Sequence, residues 1–157
     1  MIGKGENFID LSERLSTRVA GILPDVVDYI EIQGMMKRTE QRHEMATYTP
    51  IITKEMGIID WRKSAVEIDR QIRAFVLWPT AHSLLDGKMM KIFEAVVEEH
   101  YEAMNPGQIR RITREGILVD TGSGVLKIQA IQMENKKRMR AYDFAQGYRD
   151  LVGKMLT

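Results

Sequence analysis

The chain has 157 residues, 44% of them apolar and 29% charged, with four prolines and no cysteine; that supports a single domain with at most an appendage and excludes global disorder. Without cysteine there are no disulfides, thiolate metal sites or cysteine nucleophiles. With no apolar run near the ~18 residues of a membrane span, and no apolar secretory segment in MIGKGENFID, the chain reads as soluble and cytoplasmic. The formal charge of +1 hides an imbalance: residues 1–34 carry three basic and six acidic groups, whereas residues 106–157 carry ten and five.

Leu11, Leu15, Val19, Leu23, Val26 and Ile30 recur at helical spacing and predict an N-terminal helix with one apolar stripe. Asp10 and Glu13 form a candidate capping pair, Pro24 predicts a kink or split, and Gly34 is a suitable stop. An isolated helix of this length is marginal in water. Its stripe therefore needs a cover: the domain downstream, a second copy of the helix, or polypeptide outside this sequence. Residues 1–34 are read as this helix, 35–60 as an extended connector with at most one short strand, and 61–157 as the main domain.

A second helix follows, with Ser64 and Glu67 as a capping box and Ala65, Ile68, Ile72 and Phe75 as its buried stripe. Its other face offers Arg70 and Arg73, and Trp78-Pro79 ends it. From residue 81 the period becomes two. Residues 81–85 and 88–97 flank the turn dipeptide Asp86-Gly87, and residues 98–105 read as an acidic loop. Further strands are expected at 108–113, 117–121 and 125–133, a short helix at 139–147, and a last strand at 154–156. The fold class is α+β, mainly β. Short strands at this spacing predict a small antiparallel barrel, preceded by a helix and a linker.

Side chains suited to chemistry are scattered. His43, His82 and His100 have no metal-ligand spacing and read as surface or packing residues. Glu98, Glu99 and Glu102 lack the spaced ligand loop of a calcium site and read as a solvated face. Gly122-Ser123-Gly124 has no following Gly-Lys-Ser/Thr and reads as a turn. No metal site, nucleophile–base pair or catalytic motif emerges. The positive signal is Asn135-Lys136-Lys137-Arg138-Met139-Arg140, which sets four cations within five positions. Such a run repels itself unless a counter-charge arrives, and a phosphate backbone is one. The nearby aromatics are Tyr142 and Phe144, and Phe144 is expected to face the core.

Ala46-Thr47-Tyr48-Thr49-Pro50, Ile52-Thr53-Lys54-Glu55 and Ile59-Asp60-Trp61 resemble the stretch that leads into the C-terminal domain of methionyl-tRNA formyltransferases. The likeness continues through Ile68, Arg70, Ile72-Arg73-Ala74-Phe75, Trp78-Pro79, Leu85, Gly87-Lys88 and Lys91-Ile92. It then runs through Pro106-Gly107, Gly116-Ile117-Leu118-Val119, Thr121-Gly122, Gly124, Lys136-Lys137-Arg138-Met139 and Asp143-Phe144. It covers about residues 8–157, and the first helix resembles the last helix of that family's N-terminal domain.

The resemblance implies a barrel similar to an oligonucleotide-binding fold that holds initiator methionyl-tRNA through basic residues. Lys136, Lys137 and Arg138 match a family motif, and Arg140, Lys88, Lys91, Arg70 and Arg73 are further candidates. It also implies a Rossmann-like catalytic domain that binds 10-formyltetrahydrofolate, whose motifs find no counterpart here. No cofactor is therefore expected on this chain, the catalytic domain is an expected partner, and self-association through the first helix is the remaining option. Four positions depart from the family pattern: Val76-Leu77 replaces Asn-Pro before Trp78-Pro79, Thr80 replaces the following Gly, and Arg140 stands where a small cap is expected. Sugar-nucleotide formyltransferases carry a similar small barrel that packs without RNA. Ala46-Thr47-Tyr48-Thr49-Pro50 and the Lys-Lys-Arg-Met run favour the tRNA enzyme.

Overall fold

A computed structural model describes residues 2–35, 38–98 and 104–157. The chain divides into two compact units, Met1–Ile51 and Ile52–Thr157.

The first unit holds helix α1, Phe8–Gln33. Its capping box begins one residue before the helix, earlier than the spacing of Asp10 and Glu13 suggested. The Asn7 side chain accepts from the amides of Ile9 and Asp10 (2.7 and 3.2 Å), and the Asp10 carboxylate accepts from the Asn7 amide at 3.1 Å. Pro24 deprives the Ala20 carbonyl of its helical donor, yet the helix runs through it unbroken. Gly34 ends it at φ +77°, a left-handed position that suits glycine. Leu15, Val19, Leu23 and Ile30 of the apolar stripe are exposed. A short 3-10 turn at His43–Met45 follows.

The second unit takes in part of the expected connector. Lys54–Gly57 is a 3-10 turn, Ile59 is buried, and the Ile59 amide donates to the His82 carbonyl at 2.9 Å. Helix α2, Ala65–Ala74, has the capping box expected of Ser64 and Glu67. It buries Ala65, Ile68 and Ile72, whereas Phe75 at its C-cap is half-buried. Each isoleucine so buried contributes about 1.5–3 kcal/mol. Thr80, where the family pattern has Gly, takes a left-handed φ of +66° and is buried, with its hydroxyl donating to the Leu77 carbonyl at 3.1 Å.

Six strands follow: β1 (His82–Leu85), β2 (Lys88–Glu98), β3 (Ile109–Thr113), β4 (Gly116–Asp120), β5 (Val125–Met133) and β6 (Met139–Arg140). Their order is β1-β2-β5-β4-β3, every pairing is antiparallel, and β6 also pairs with β5. Asp86 and Gly87 turn β1 into β2 with φ of +50° and +74°, as the dipeptide demands. Residues 139–140 are strand, so the last helix, α3, starts at Ala141 and ends at Gln146.

The strand path is open, and the C-terminal segment ties its two edges together. Leu84 and Thr157 exchange backbone bonds of 2.6 and 3.1 Å on the β1 side. On the β3 side, Leu156 donates to Gly107 and Ile109 donates to Lys154, both at 2.8 Å. The last strand expected at 154–156 thus contributes single bridges from Met155 and Leu156. Leu85, Met90, Ile92, Ile109, Ile117, Val119, Leu126, Ile128, Ile131 and Leu156 fill the interior, and Phe144 joins them from α3 as expected. The indole of Trp61 donates to the Ser83 hydroxyl at 2.9 Å, which donates to the Thr157 carbonyl at 3.0 Å. This chain satisfies the polar atoms where the tail closes the sheet.

Outside the sheet, Lys127 is clamped by Glu115 and Glu98, the latter at 2.7 Å. Hydrogen bonds to Glu115 and then Glu98 raise the Lys127 ammonium above its ordinary range, and the bond from Lys127 lowers the Glu115 carboxyl. Folded Glu115 gives up its proton more readily than unfolded Glu115. Its stabilisation is therefore complete above pH 4.5 and lost as the pH falls through the lowered value. Lys127 has the opposite sign, with stabilisation complete below pH 10.5 and lost as the pH rises through the raised value. Glu115→Gln is expected to flatten the loss of stability below pH 4.5 in acid-denaturation curves; an acid limb identical to the parent's would contradict the clamp.

Gly122 shows why its position in the β4–β5 turn requires glycine. A Cβ there would lie 1.7 Å from the carbonyl oxygen of Arg62, and the Gly122 amide donates to the Lys63 carbonyl at 2.9 Å. Gly122→Ala is expected to cost about 2 kcal/mol or more in urea unfolding, and an unchanged midpoint would show that the backbone approach is relaxed in solution.

Candidate nucleic-acid interface

The basic run forms the connection between β5 and β6. Ala130 pairs with Arg140 and Ile131 with Met139, which leaves residues 132–138 to reverse the chain. Asn135 takes φ +59°, a left-handed value that asparagine tolerates better than most residues. The Lys136 amide donates to the Met133 carbonyl at 3.0 Å, and the Gln132 side-chain amide donates to the Lys136 carbonyl at 2.7 Å. A bond of 2.9 Å from the Glu134 amide to the Met89 carbonyl ties the turn to β2. The backbone is thus fixed from three directions while residues 134–138 stay exposed.

The four cations of the run have different surroundings. Lys136 and Lys137 have no ion pair among the described residues. Arg138 does: its guanidinium pairs with Glu94 and lies over the Phe93 ring, 4.6 Å from the centroid. Arg140 donates to the Arg114 carbonyl at 3.2 Å. It occupies the N-cap position of α3 without a side-chain capping bond, as its length and charge dictate. One member of the run is therefore engaged by an internal carboxylate, although the side chains of that pair keep 46% and 58% of their exposure. Ion pairs this exposed contribute about 0–1 kcal/mol.

Lys91 lies opposite Gln132 across the β2–β5 ladder. With Met89, Gln132, Met133, Glu134 and Asn135 it lines an open depression of about 200 Å³ beside the basic turn. Lys88 is exposed and pairs with Leu85, ahead of the point at which β2 meets β5. Arg70 is exposed on α2, and Arg73 on the same helix pairs with Asp69 at 2.9 Å. Lys91 is thus brought to the β5–β6 turn by the sheet, whereas Arg70 and Arg73 belong to a different element.

Of the other residues considered for chemistry, His82 is buried with Nδ1 2.9 Å from the Thr80 carbonyl oxygen, and His43 is exposed in its short turn. Glu98 pairs with Lys127, while Glu99, His100 and Glu102 lie outside the described residues. Ser123 accepts the first amide of α2 at 2.9 Å, which makes Gly122-Ser123-Gly124 a structural turn. Among the described residues no group of three His, Asp or Glu side chains is placed to hold a metal, and no helix is long and apolar enough to cross a membrane.

Sequence reasoning missed Phe93 and Glu94. Both sit on β2, far along the chain from Arg138, and only the strand pairing brings them to it. The alternation of Met90 and Ile92 inward with Lys91 outward did mark Phe93 as an outward aromatic.

Residues 51–149 match the family described as formyl transferase, C-terminal domain. A methionyl-tRNA formyltransferase of Geobacter sulfurreducens is 37% identical over 148 residues, covering 94% of this chain and 46% of that protein. One of Alkaliphilus oremlandii is 38% identical over 146 residues, covering 93% and 47%. The chain spans about half the length of the curated relatives it matches. Among solved structures, HypX from Aquifex aeolicus superposes with a TM-score of 0.66 at 21% identity, over 94% of this chain and 26% of that one. A further HypX structure, in complex with tetrahydrofolic acid, gives 0.60 at 20% identity, over 87% and 26%. These two likenesses are of fold alone. The match over residues 51–149, more than half of the chain, shows that the chain belongs to the formyl transferase C-terminal domain family.

Proposed function

We propose that this chain supplies the initiator-tRNA contacts of a methionyl-tRNA formyltransferase, acting in the cytoplasm at translation initiation. The observation that carries the reading is the β5–β6 turn. Its backbone is held by Gln132 and Met89 while Lys136 and Lys137 extend outward without an ion pair among the described residues. Fixed backbone with free ammonium groups suits phosphate, which needs a placed charge and carries no sequence information. Lys91 from β2 and Arg140 from β6 widen the same surface.

The chemical contribution of such a surface is orientation. Holding the aminoacyl end of a tRNA in reach of a reacting centre converts an encounter between two molecules into a step within one complex. The formyl donor in this proposal is 10-formyltetrahydrofolate. The depression beside Lys91, at about 200 Å³, is smaller than the ~300–1,000 Å³ of pockets that enclose comparable ligands, and a Rossmann-like catalytic domain is the donor's proposed carrier.

One observation favours a second reading. Arg138 is already engaged by Glu94, as expected of a barrel that only packs against a catalytic domain, in the manner of the sugar-nucleotide enzymes. Mixing the chain with a matching catalytic domain separates the two: restored formylation of charged tRNA supports the first reading, and restored activity on an amino-sugar nucleotide supports the second.

Binding to an initiator tRNA transcript is the direct test. Raising salt from ~50 to ~200 mM is expected to weaken it on the order of tens-fold if about three phosphates are contacted. Replacing Lys136→Glu and Lys137→Glu together is expected to weaken binding across RNA sequences alike. No binding at low salt, or binding indifferent to salt, would contradict the proposal.

A further inference from the structure

The contact of Arg138 with two successive residues of β2 is unusual for a strand. On a regular strand consecutive side chains point to opposite faces, so Phe93 and Glu94 would not both reach one guanidinium. The register explains why they do. Ile92 faces Ile131 and Glu94 faces Ala130, so β2 advances two residues while β5 advances one; Ala95 then faces Ile128, so β5 advances two while β2 advances one, and the register is restored. This paired irregularity skips Phe93 on β2 and Gln129 on β5, and the inward face of β2 passes from Met90 and Ile92 to Ala95 and Val97, which leaves Phe93 and Glu94 together on the outer side. Arg138 therefore lies over an aromatic face and beside a carboxylate at once.

The two contacts are suited to different roles. The Phe93 ring orients the planar guanidinium from below and stays in place when solvent or a ligand approaches from above. Glu94 is a half-exposed partner whose charge is of the same sign as a phosphate and whose two oxygens present the same geometry to an arginine fork. Its neighbours on the adjoining turn, Lys136 and Lys137, carry no such partner among the described residues.

We infer that Glu94 is a built-in competitor for RNA phosphate: it occupies Arg138 in the free protein and yields it to a phosphate when RNA engages the β5–β6 turn. The inference deepens the RNA-binding reading and rests on it. Release of Arg138 has a small cost that a ligand also bound by Lys136 and Lys137 offsets more readily than one touching the surface at a single point, so Glu94 biases the surface toward multi-point polyanions. Phe93 keeps the guanidinium aimed throughout the exchange. Arg138 is thus a phosphate-binding residue under restraint, and Glu94 a specificity-determining residue.

A double-mutant cycle read by fluorescence anisotropy with an initiator tRNA transcript tests this. Glu94→Gln keeps the shape of the side chain and removes its charge, and is expected to tighten binding about three- to fivefold at low salt. In an Arg138→Gln background the same change is expected to give no gain, because there is no guanidinium to release. Glu134→Gln, which removes an exposed carboxylate from the turn itself, is the control for general charge. Thermal midpoints of all variants report that they are folded. A gain from Glu94→Gln that persists without Arg138, or that Glu134→Gln equals, overturns the inference. So does the absence of any gain while Lys136→Glu and Lys137→Glu still weaken binding, which leaves the RNA-binding reading intact. Failure of the parent chain and every variant to bind removes both.

Discussion

Strand β5 is the element on which the rest of this domain depends. It pairs with β2 along one side and with β4 and then β6 along the other, so three strands take their register from it. A one-residue slip would send Leu126 and Ile128 outward and Lys127 inward, exchanging the core face for the solvent face. The same register fixes the start of the β5–β6 turn, and with it the direction in which Lys136 and Lys137 leave the surface. Packing and the proposed RNA surface therefore share one constraint. The clamp of Lys127 by Glu98 and Glu115 reinforces it from outside, because it joins β2, β5 and the β3–β4 turn across the strand that holds them.

Closure is achieved by the tail with little material. Single bridges from Met155 and Leu156 join the two edges that the six strands leave open, and buried Trp61 and Ser83 complete the polar bonds there. Unpaired strand edges invite pairing with other chains, and the tail covers the end of β1 at Leu84–Leu85 and the start of β3 at Gln108–Ile109. Gly107 permits this approach, since a Cβ at that position would fall 2.6 Å from the Leu156 carbonyl oxygen. The glycines at 107 and 122 thus mark places where two backbones meet.

Much of this was legible in the sequence, for identifiable reasons. Period-two alternation and Asp86-Gly87 located β1 and β2, and Ser64 with Glu67 located the start of α2, because both signals are local. The cap of α1 is Asn7 and not Asp10, because the helix starts at Phe8, ahead of Leu11, the first residue of its apolar stripe. Pro24, which predicts a kink or a split, removes one backbone bond and does not split the helix. Of the connector expected at 35–60, residues 52–60 lie in the second compact unit, where Gly57 and Ile59 are buried against Thr80 and His82, more than twenty residues on and so invisible to a local pattern. At the basic surface, the run at 136–140 was visible as composition, but the partition of its charges was not. Phe93 and Glu94 reach Arg138 through a register irregularity, and register is a property of two strands together.

On the proposed reading, the outward side of the β2–β5–β6 region, gathered around the turn that β5 launches, is the surface that meets RNA. Mapping backbone amide shifts of the isotopically labelled chain during titration with an initiator tRNA transcript addresses this most directly. The claim predicts that the largest changes fall at residues 132–140 and 91–94. Changes confined to α2, or spread evenly over the domain with those two stretches silent, would contradict it.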